Sequence, residues 1–92
     1  MKRIRWAAAA ADDLEAIHDY LQKHYPASTK STIHRLYDAA RSLRRMPYRG
    51  RTGVTEGTRE LVLAPLPYII VYAVEQDVIH VFRVLHAAQD WQ

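Results

Sequence analysis

The residues best suited to chemistry lie near the end of the chain. The stretch RVLHAAQDW at residues 83–91 carries an arginine and a histidine, and Arg59 opens an earlier hydrophobic stretch. A histidine titrates near neutral pH and can act as acid or base, whereas an arginine can stabilise the extra negative charge of a phosphorane. RNA cleavage through the substrate's own 2′-hydroxyl would need these functions together. The candidate catalytic residues are therefore His86, Arg83 and Arg59.

A second group of cations could bind a partner rather than catalyse a reaction. Arg49 and Arg51 lie in a glycine-rich stretch, and Arg41 and Arg45 follow one ridge of a predicted helix. Such arginines can meet phosphates or an acidic protein segment through charge-assisted hydrogen bonds, each contributing on the order of 1 to 3 kcal/mol where water is excluded. A solvated surface with scattered charges is the alternative interpretation. The five histidines lack the spacing of metal ligands, so we expect neither a metal nor a cofactor.

The composition indicates one small soluble domain that covers residues 1–92. Hydrophobic residues make up 49% of the chain, which suits a single core. The absence of cysteine excludes disulfides and thiolate metal sites. The alanine run at residues 7–11 is too short for a signal sequence or a membrane span, and we therefore expect a cytoplasmic protein. The net charge of +3 is compatible with an acidic partner or a nucleic acid but identifies neither.

The hydropathy pattern predicts a strand followed by two helices. Residues 2–6 alternate between apolar and polar side chains, which is typical of a strand with one covered side. From residue 11 the apolar residues recur with a helical period, and Pro26 ends this helix. A second amphipathic helix is predicted over residues 28–46. The short turn between the two helices implies an antiparallel helix hairpin.

Three strands are predicted after a glycine-rich loop at residues 47–58. They cover residues 59–63, 68–74 and 78–85, and their short links require antiparallel pairing. We therefore expect an α+β fold of order β-α-α-β-β-β, in which the helix hairpin packs on one face of an antiparallel sheet.

Strand alternation bears on whether the two C-terminal candidates can cooperate. In the last strand, simple alternation places Arg83 and His86 on opposite faces of the sheet. Arg83 is expected to share its face with the aliphatic residues Ile79, Val81 and Leu85. Because only a β-bulge between them could bring the two side chains together, we do not expect them to act as a simple catalytic pair.

Five local patterns, taken in order, resemble the RelE/ParE superfamily of bacterial type II toxins. They are DLEAIHDYL, RRMPYRGR, GTRELVL, PYIIVYAV and RVLHAAQDW, and the similarity runs from Ile4 to Trp91. The resemblance implies a toxin of a plasmid-stabilising module, which a small cognate antitoxin binds and neutralises in a hetero-oligomer. Relatives such as RelE and YoeB cleave mRNA in the ribosomal A site, whereas relatives such as ParE poison DNA gyrase.

The residues that separate these two branches favour ParE. RelE-like nucleases carry a key arginine directly after the position of Tyr68, where this chain has Ile69. They also carry a lysine pair on the preceding strand, where Glu60 and Val62 stand here. YoeB-like nucleases end the last strand with a histidine close to the position of His86, which ParE-like sequences share. The resemblance thus implies a gyrase poison that is not an enzyme, with a ribosome-dependent mRNA endonuclease as the alternative and a non-toxic antitoxin-binding domain as a third hypothesis.

Overall fold

A computed structural model describes residues 1–87, and its elements follow the predicted order with one addition. They are β1 (Arg3–Trp6), α1 (Ala8–His24), α2 (Pro26–Ser42), β2 (Arg51–Thr52), β3 (Arg59–Val62), β4 (Tyr68–Glu75) and β5 (Val78–His86). The strands form one sheet of order β1-β5-β4-β3-β2. Both helices contribute to a core with one side of this sheet, which confirms the predicted α+β fold.

The sheet is mixed rather than wholly antiparallel. Strands β2 to β5 pair antiparallel, as their short links require. Strand β1 instead runs parallel to β5, with Arg3 opposite Val78 and Trp6 opposite Val81. This pairing is possible because the helix hairpin separates β1 from the other strands and carries the chain back to the starting end of the sheet.

The helix boundaries differ from the predicted ones for local reasons. Helix α1 already begins at Ala8, because alanine is the strongest helix former although it adds little to an apolar period. Pro26 ends α1 as predicted, but it also occupies the first turn of α2, where its missing N–H costs nothing. Helix α2 ends at Ser42 rather than at residue 46, and a turn follows it.

The main core lies between the helix hairpin and the sheet. Helix residues such as Leu14, Leu36 and Leu43 pack against Ile70 and Tyr72 of the central strand β4. Tyr72 has no exposed surface although it carries a hydroxyl group. A buried hydroxyl needs hydrogen-bond partners, and in this protein those partners lie in the loop that follows α2.

A β-bulge in β5 changes which of its residues share a face. The register shifts between the pairs Val71–Arg83 and Tyr72–Val81, which leaves Phe82 opposite no residue of β4. Val81 and Val84 therefore both belong to the helix-side core, whereas Leu85 belongs to a separate cluster. The predicted grouping of Leu85 with Ile79 and Val81 is wrong, because an inserted residue restarts the alternation.

The predicted glycine-rich loop contains the additional strand. β2 pairs with the start of β3, and the amide of Gly53 donates to the carbonyl of Thr58 at 2.8 Å. Gly57 in this turn has a φ of +82°, a conformation that glycine adopts without strain. Within residues 1–87, no helix is long and apolar enough to cross a membrane.

Candidate functional site

Arg83 is bound to the carboxylate of Asp13 on α1. Its Nε donates to Oδ2 at 2.8 Å and its Nη2 donates to Oδ1 at 2.9 Å. The backbone amide of Val84 also donates to Oδ2, at 2.9 Å. Because β1 ends at Trp6, opposite Val81, this part of β5 pairs with β4 on one side only. On the other side, where the described residues place no strand, Asp13 supplies the acceptor. The hydrogen bonds to Asp13 raise the pKa of Arg83. The Arg83 guanidinium is therefore held by an ion pair within the fold.

His86 lies at the mouth of a groove on the helix side of the sheet. It stands opposite Tyr68 in the β4–β5 register, and the two rings meet edge to face with centroids 5.9 Å apart. The groove has a volume of ≈ 630 Å³, and α1, the β3–β4 turn and the ends of β4 and β5 supply most of its walls. Burial raises the pKa of the Tyr68 hydroxyl. Asp13 lines this groove but Arg83 does not.

The positions that the resemblance aligns with the cations of RelE-like nucleases lie on the face of the sheet away from the helices. Ile69 is buried there with Val71 and Leu85 in a hydrocarbon cluster. Glu60, opposite Val71, is only 4% exposed, and its Oε1 accepts from the Nε and Nη2 of Arg51 at 2.9 and 2.8 Å. Its Oε2 has no hydrogen-bond partner among the described residues. The described side chains at these positions are thus aliphatic or acidic, with one neutralising arginine at the edge.

Arg59, the third predicted catalytic residue, organises the loop before β2. Its Nη1 donates to the carbonyl oxygens of Gly50 at 2.7 Å and of Tyr48 at 3.4 Å. Its guanidinium carbon lies 4.9 Å from the centroid of the Tyr48 ring, within the range of a cation–π contact. Arg59 pairs with Tyr72 in the sheet register, so it lies away from the His86 end of β4.

The buried hydroxyl of Tyr72 holds the same loop through two hydrogen bonds. Its hydroxyl donates to the carbonyl of Pro47 at 2.7 Å and accepts from the amide of Gly50 at 3.0 Å. A Cβ at position 50 would lie 2.7 Å from that hydroxyl, so only glycine allows this approach. Burial raises the pKa of Tyr72, while the Gly50 amide and the positive charges of Arg59 and Arg49 act to lower it. Both guanidinium groups therefore act on one buried oxygen.

The predicted binding arginines are held in different ways. Arg41 donates to Asp38 at 2.6 Å on the surface of α2, and Arg51 is held by Glu60 as described above. Arg49 donates to the hydroxyl of Ser42 at 2.6 Å. The side chain of Arg45 is exposed, and within residues 1–87 it forms no hydrogen bond or ion pair. Arg41 and Arg51 are therefore balanced by carboxylates, whereas no described carboxylate balances Arg45 or Arg49.

Two residues that organise the site were not predicted. Asp13 lies in the polar part of a helical pattern, and nothing in its spacing indicates a partner on β5. Tyr72 lies in the apolar stretch YIIVYAV, and nothing in the sequence indicates that its hydroxyl holds the loop after α2. Among the described residues, no group of three or more potential ligands could hold a metal ion.

Two solved structures that superpose on this chain both come from toxin–antitoxin systems. The chain superposes on a chain of the chromosomal ParDE toxin–antitoxin system of P. aeruginosa with a TM-score of 0.83 and 24% identity, over 94% of this chain and 96% of that one. For the RelBE2 toxin–antitoxin complex of Mycobacterium tuberculosis the TM-score is 0.68 at 22% identity, over 92% and 96%. The fold is therefore that of chains from toxin–antitoxin systems.

Sequence similarity assigns the family within that class. The family model for the ParE toxin of type II toxin–antitoxin systems matches residues 4–91, and the chain belongs to this family. It is 41% identical over 90 residues to the Y4kP protein of Sinorhizobium fredii, covering 98% of this chain and 93% of the relative. It is 40% identical over 89 residues to toxin RelE2 of Caulobacter vibrioides, covering 97% and 99%. Both relatives carry toxin names.

Proposed function

We propose that this toxin arrests growth by poisoning DNA gyrase and that it acts as a binding protein rather than as a nuclease. One observation carries the proposal. Where RelE-like nucleases place an arginine and a lysine pair, this sheet has Ile69, Glu60 and Val62. The nearest predicted substitute, Arg83, is engaged by Asp13.

The charges on this face of the sheet do not suit RNA cleavage. A phosphorane transition state carries more negative charge than the phosphodiester, and donors fixed around it provide much of the rate acceleration. A hydrocarbon side chain at position 69 provides no donor, and a buried carboxylate at position 60 repels the developing charge. Arg51 balances Glu60 and so adds no net positive charge there. These features support a surface that binds without catalysing phosphoryl transfer.

The proposed partner in the cell is a cognate antitoxin. The groove beside His86 offers apolar walls and an aromatic rim at Tyr20 and Tyr25, whose side chains are more than half exposed. An amphipathic or extended antitoxin segment would bury this surface. In this proposal the toxin works in the cytoplasm, where gyrase acts on DNA, and serves a plasmid-stabilising or related module.

The test of the gyrase proposal uses purified components. Full-length toxin should stop supercoiling of relaxed plasmid by gyrase, and it should increase the fraction of plasmid trapped with protein-linked breaks. A gyrase whose supercoiling is unchanged at large toxin excess would refute the proposal. Adding the cognate antitoxin before the toxin should restore supercoiling, which controls for inhibitors carried over from purification.

A ribosome-dependent mRNA endonuclease is the second candidate function. It is favoured by the 40% identity to a relative named RelE2 and by the position of His86 at an open groove. In a translating extract, this candidate predicts cleaved mRNA with wild-type toxin and intact mRNA with His86→Ala. His34→Ala is the matched control, because the His34 side chain is 73% exposed on α2. Intact transcripts with wild-type toxin would exclude this function.

A further inference from the structure

The arginines with a described ion-pair partner are balanced within the fold. A carboxylate beside a guanidinium both orients it and offsets its charge, so such an arginine offers little attraction to an outside anion. The balanced pairs are Arg41–Asp38, Arg51–Glu60 and Arg83–Asp13.

A second set of arginines, around the loop after α2, is held by neutral oxygens instead. Arg49 is fixed by the hydroxyl of Ser42, and Arg59 is fixed by backbone carbonyls. A neutral acceptor orients a guanidinium but leaves its charge unbalanced, and several of its five N–H groups stay available for another acceptor. The backbone of Arg45 lies in the turn between them and α2, and its amide donates to the carbonyl of Ser42, the residue whose hydroxyl holds Arg49. Residues 43–55 contain no aspartate or glutamate.

The loop that carries this second set is held rigidly and presents an aromatic ring. The hydroxyl of Tyr72 bridges Pro47 and Gly50, so the backbone between them is fixed before any ligand arrives. Tyr48, inside this bridge, is 63% exposed. Arg59 lies over its ring, and the high exposure leaves much of the ring open to a ligand.

We propose that Arg45, Arg49 and Arg59, together with Tyr48, form a binding site for the phosphodiester backbone of a nucleic acid. Guanidinium forks match phosphate oxygens in geometry, and an exposed aromatic ring between them can stack on a base or a sugar. Because Arg49 and Arg59 are already oriented by neutral acceptors, these two side chains lose little conformational entropy on binding. Arg3 and Arg5 differ from this set, because they line a cavity that Glu75 and Asp77 also line.

This inference goes beyond the proposed action on gyrase, and its test contains no gyrase. Binding of full-length toxin to a fluorescent duplex DNA and to an RNA hairpin is measured by anisotropy at several salt concentrations. With about 0.9 counterions released per phosphate, three arginine contacts give a log–log salt slope of about −2.7. Affinity should therefore fall about 40-fold between about 50 and 200 mM salt. The arm that binds more tightly identifies whether DNA or RNA is the source of the phosphates.

Three variants test whether Arg45, Arg49 and Tyr48 contact the nucleic acid. Arg45→Gln with Arg49→Gln should reduce the salt slope to about −0.9, so that the same salt change weakens binding only about 3.5-fold. Arg41→Gln is the matched control for the loss of one exposed arginine: it should keep a slope near −2.7, because Asp38 already offsets that charge. Tyr48→Ala should weaken binding without changing the slope.

Three results would overturn the inference. They are no binding to either nucleic acid at low salt, an unchanged slope in the double variant, and displacement of the nucleic acid by polyglutamate at equal charge concentration. The last would show that the patch binds any acidic polymer. The double variant should retain the wild-type melting temperature, since Arg45 has no side-chain partner within residues 1–87 and Arg49 has a single described hydrogen bond.

Discussion

The bridge between Tyr72 and the loop gives a prediction with a defined cost. Tyr72→Phe removes one oxygen atom from a side chain that is fully buried, so the aromatic packing stays the same. The amide of Gly50 and the carbonyl of Pro47 both lose their described partner. A buried backbone group left without a partner costs about 1 to 3 kcal/mol. Gly50 is buried and Pro47 is partly exposed, so we expect a total loss of about 3 kcal/mol.

The measurement is urea and thermal unfolding of the full chain. For a domain of this size, a loss of about 3 kcal/mol lowers the melting temperature by roughly 12 to 24 °C, and the urea midpoint should fall at constant m value. Tyr37→Phe is the matched control, because Tyr37 is 44% exposed and its hydroxyl has no described hydrogen bond. It should change stability by less than about 0.5 kcal/mol. Equal effects of the two substitutions would refute the assignment of the bridge.

Three further predictions test other contacts. Asp13→Ala should destabilise the fold by about 2 kcal/mol in urea unfolding, because it orphans a β5 amide as well as Arg83; a loss no larger than that of the exposed Asp12→Ala would contradict this. Gly50→Ala should cost at least about 2 kcal/mol by the same assay, since its Cβ would meet the Tyr72 hydroxyl at 2.7 Å and the Glu60 carbonyl at 2.9 Å; near-neutral stability would show that the loop can shift. Burial raises the pKa of Tyr68 above 10.0, so the folded state holds this proton more tightly than the unfolded state, and its stabilisation is complete below about pH 10 and lost at higher pH. Unfolding free energies at about pH 9 and pH 11 should therefore differ less in Tyr68→Phe than in the wild type.

The element order could be predicted from the sequence because each element has its own period or breaker. Alternation at residues 2–6, the helical period after residue 11 and the apolar stretch YIIVYAV identify elements by local chemistry alone. The parallel pairing of β1 could not be predicted in this way, since it depends on where the helix hairpin returns the chain. The bulge at Phe82 also has no local signature, although it changes which β5 residues face the helices.

The candidate site could be predicted only as a set of residue types. Arginines in a glycine-rich stretch are visible in the sequence, but whether each is balanced depends on contacts with distant residues. Arg83 is held by a carboxylate from α1, whereas Arg59 is held by backbone carbonyls and contacts the Tyr48 ring. The absence of a cation at Ile69 was available from the resemblance, and the structure adds that hydrocarbon side chains pack around this position.

We propose above that this ParE-family toxin acts on gyrase and does not cleave RNA. The most direct measurement induces the toxin in growing cells and quantifies, in the same samples, protein-linked DNA breaks at gyrase sites and the integrity of translated mRNA. We expect protein-linked DNA breaks to accumulate as growth stops, while the translated transcripts remain full length. Cleaved transcripts without gyrase-linked breaks, lost in His86→Ala, would contradict this proposal.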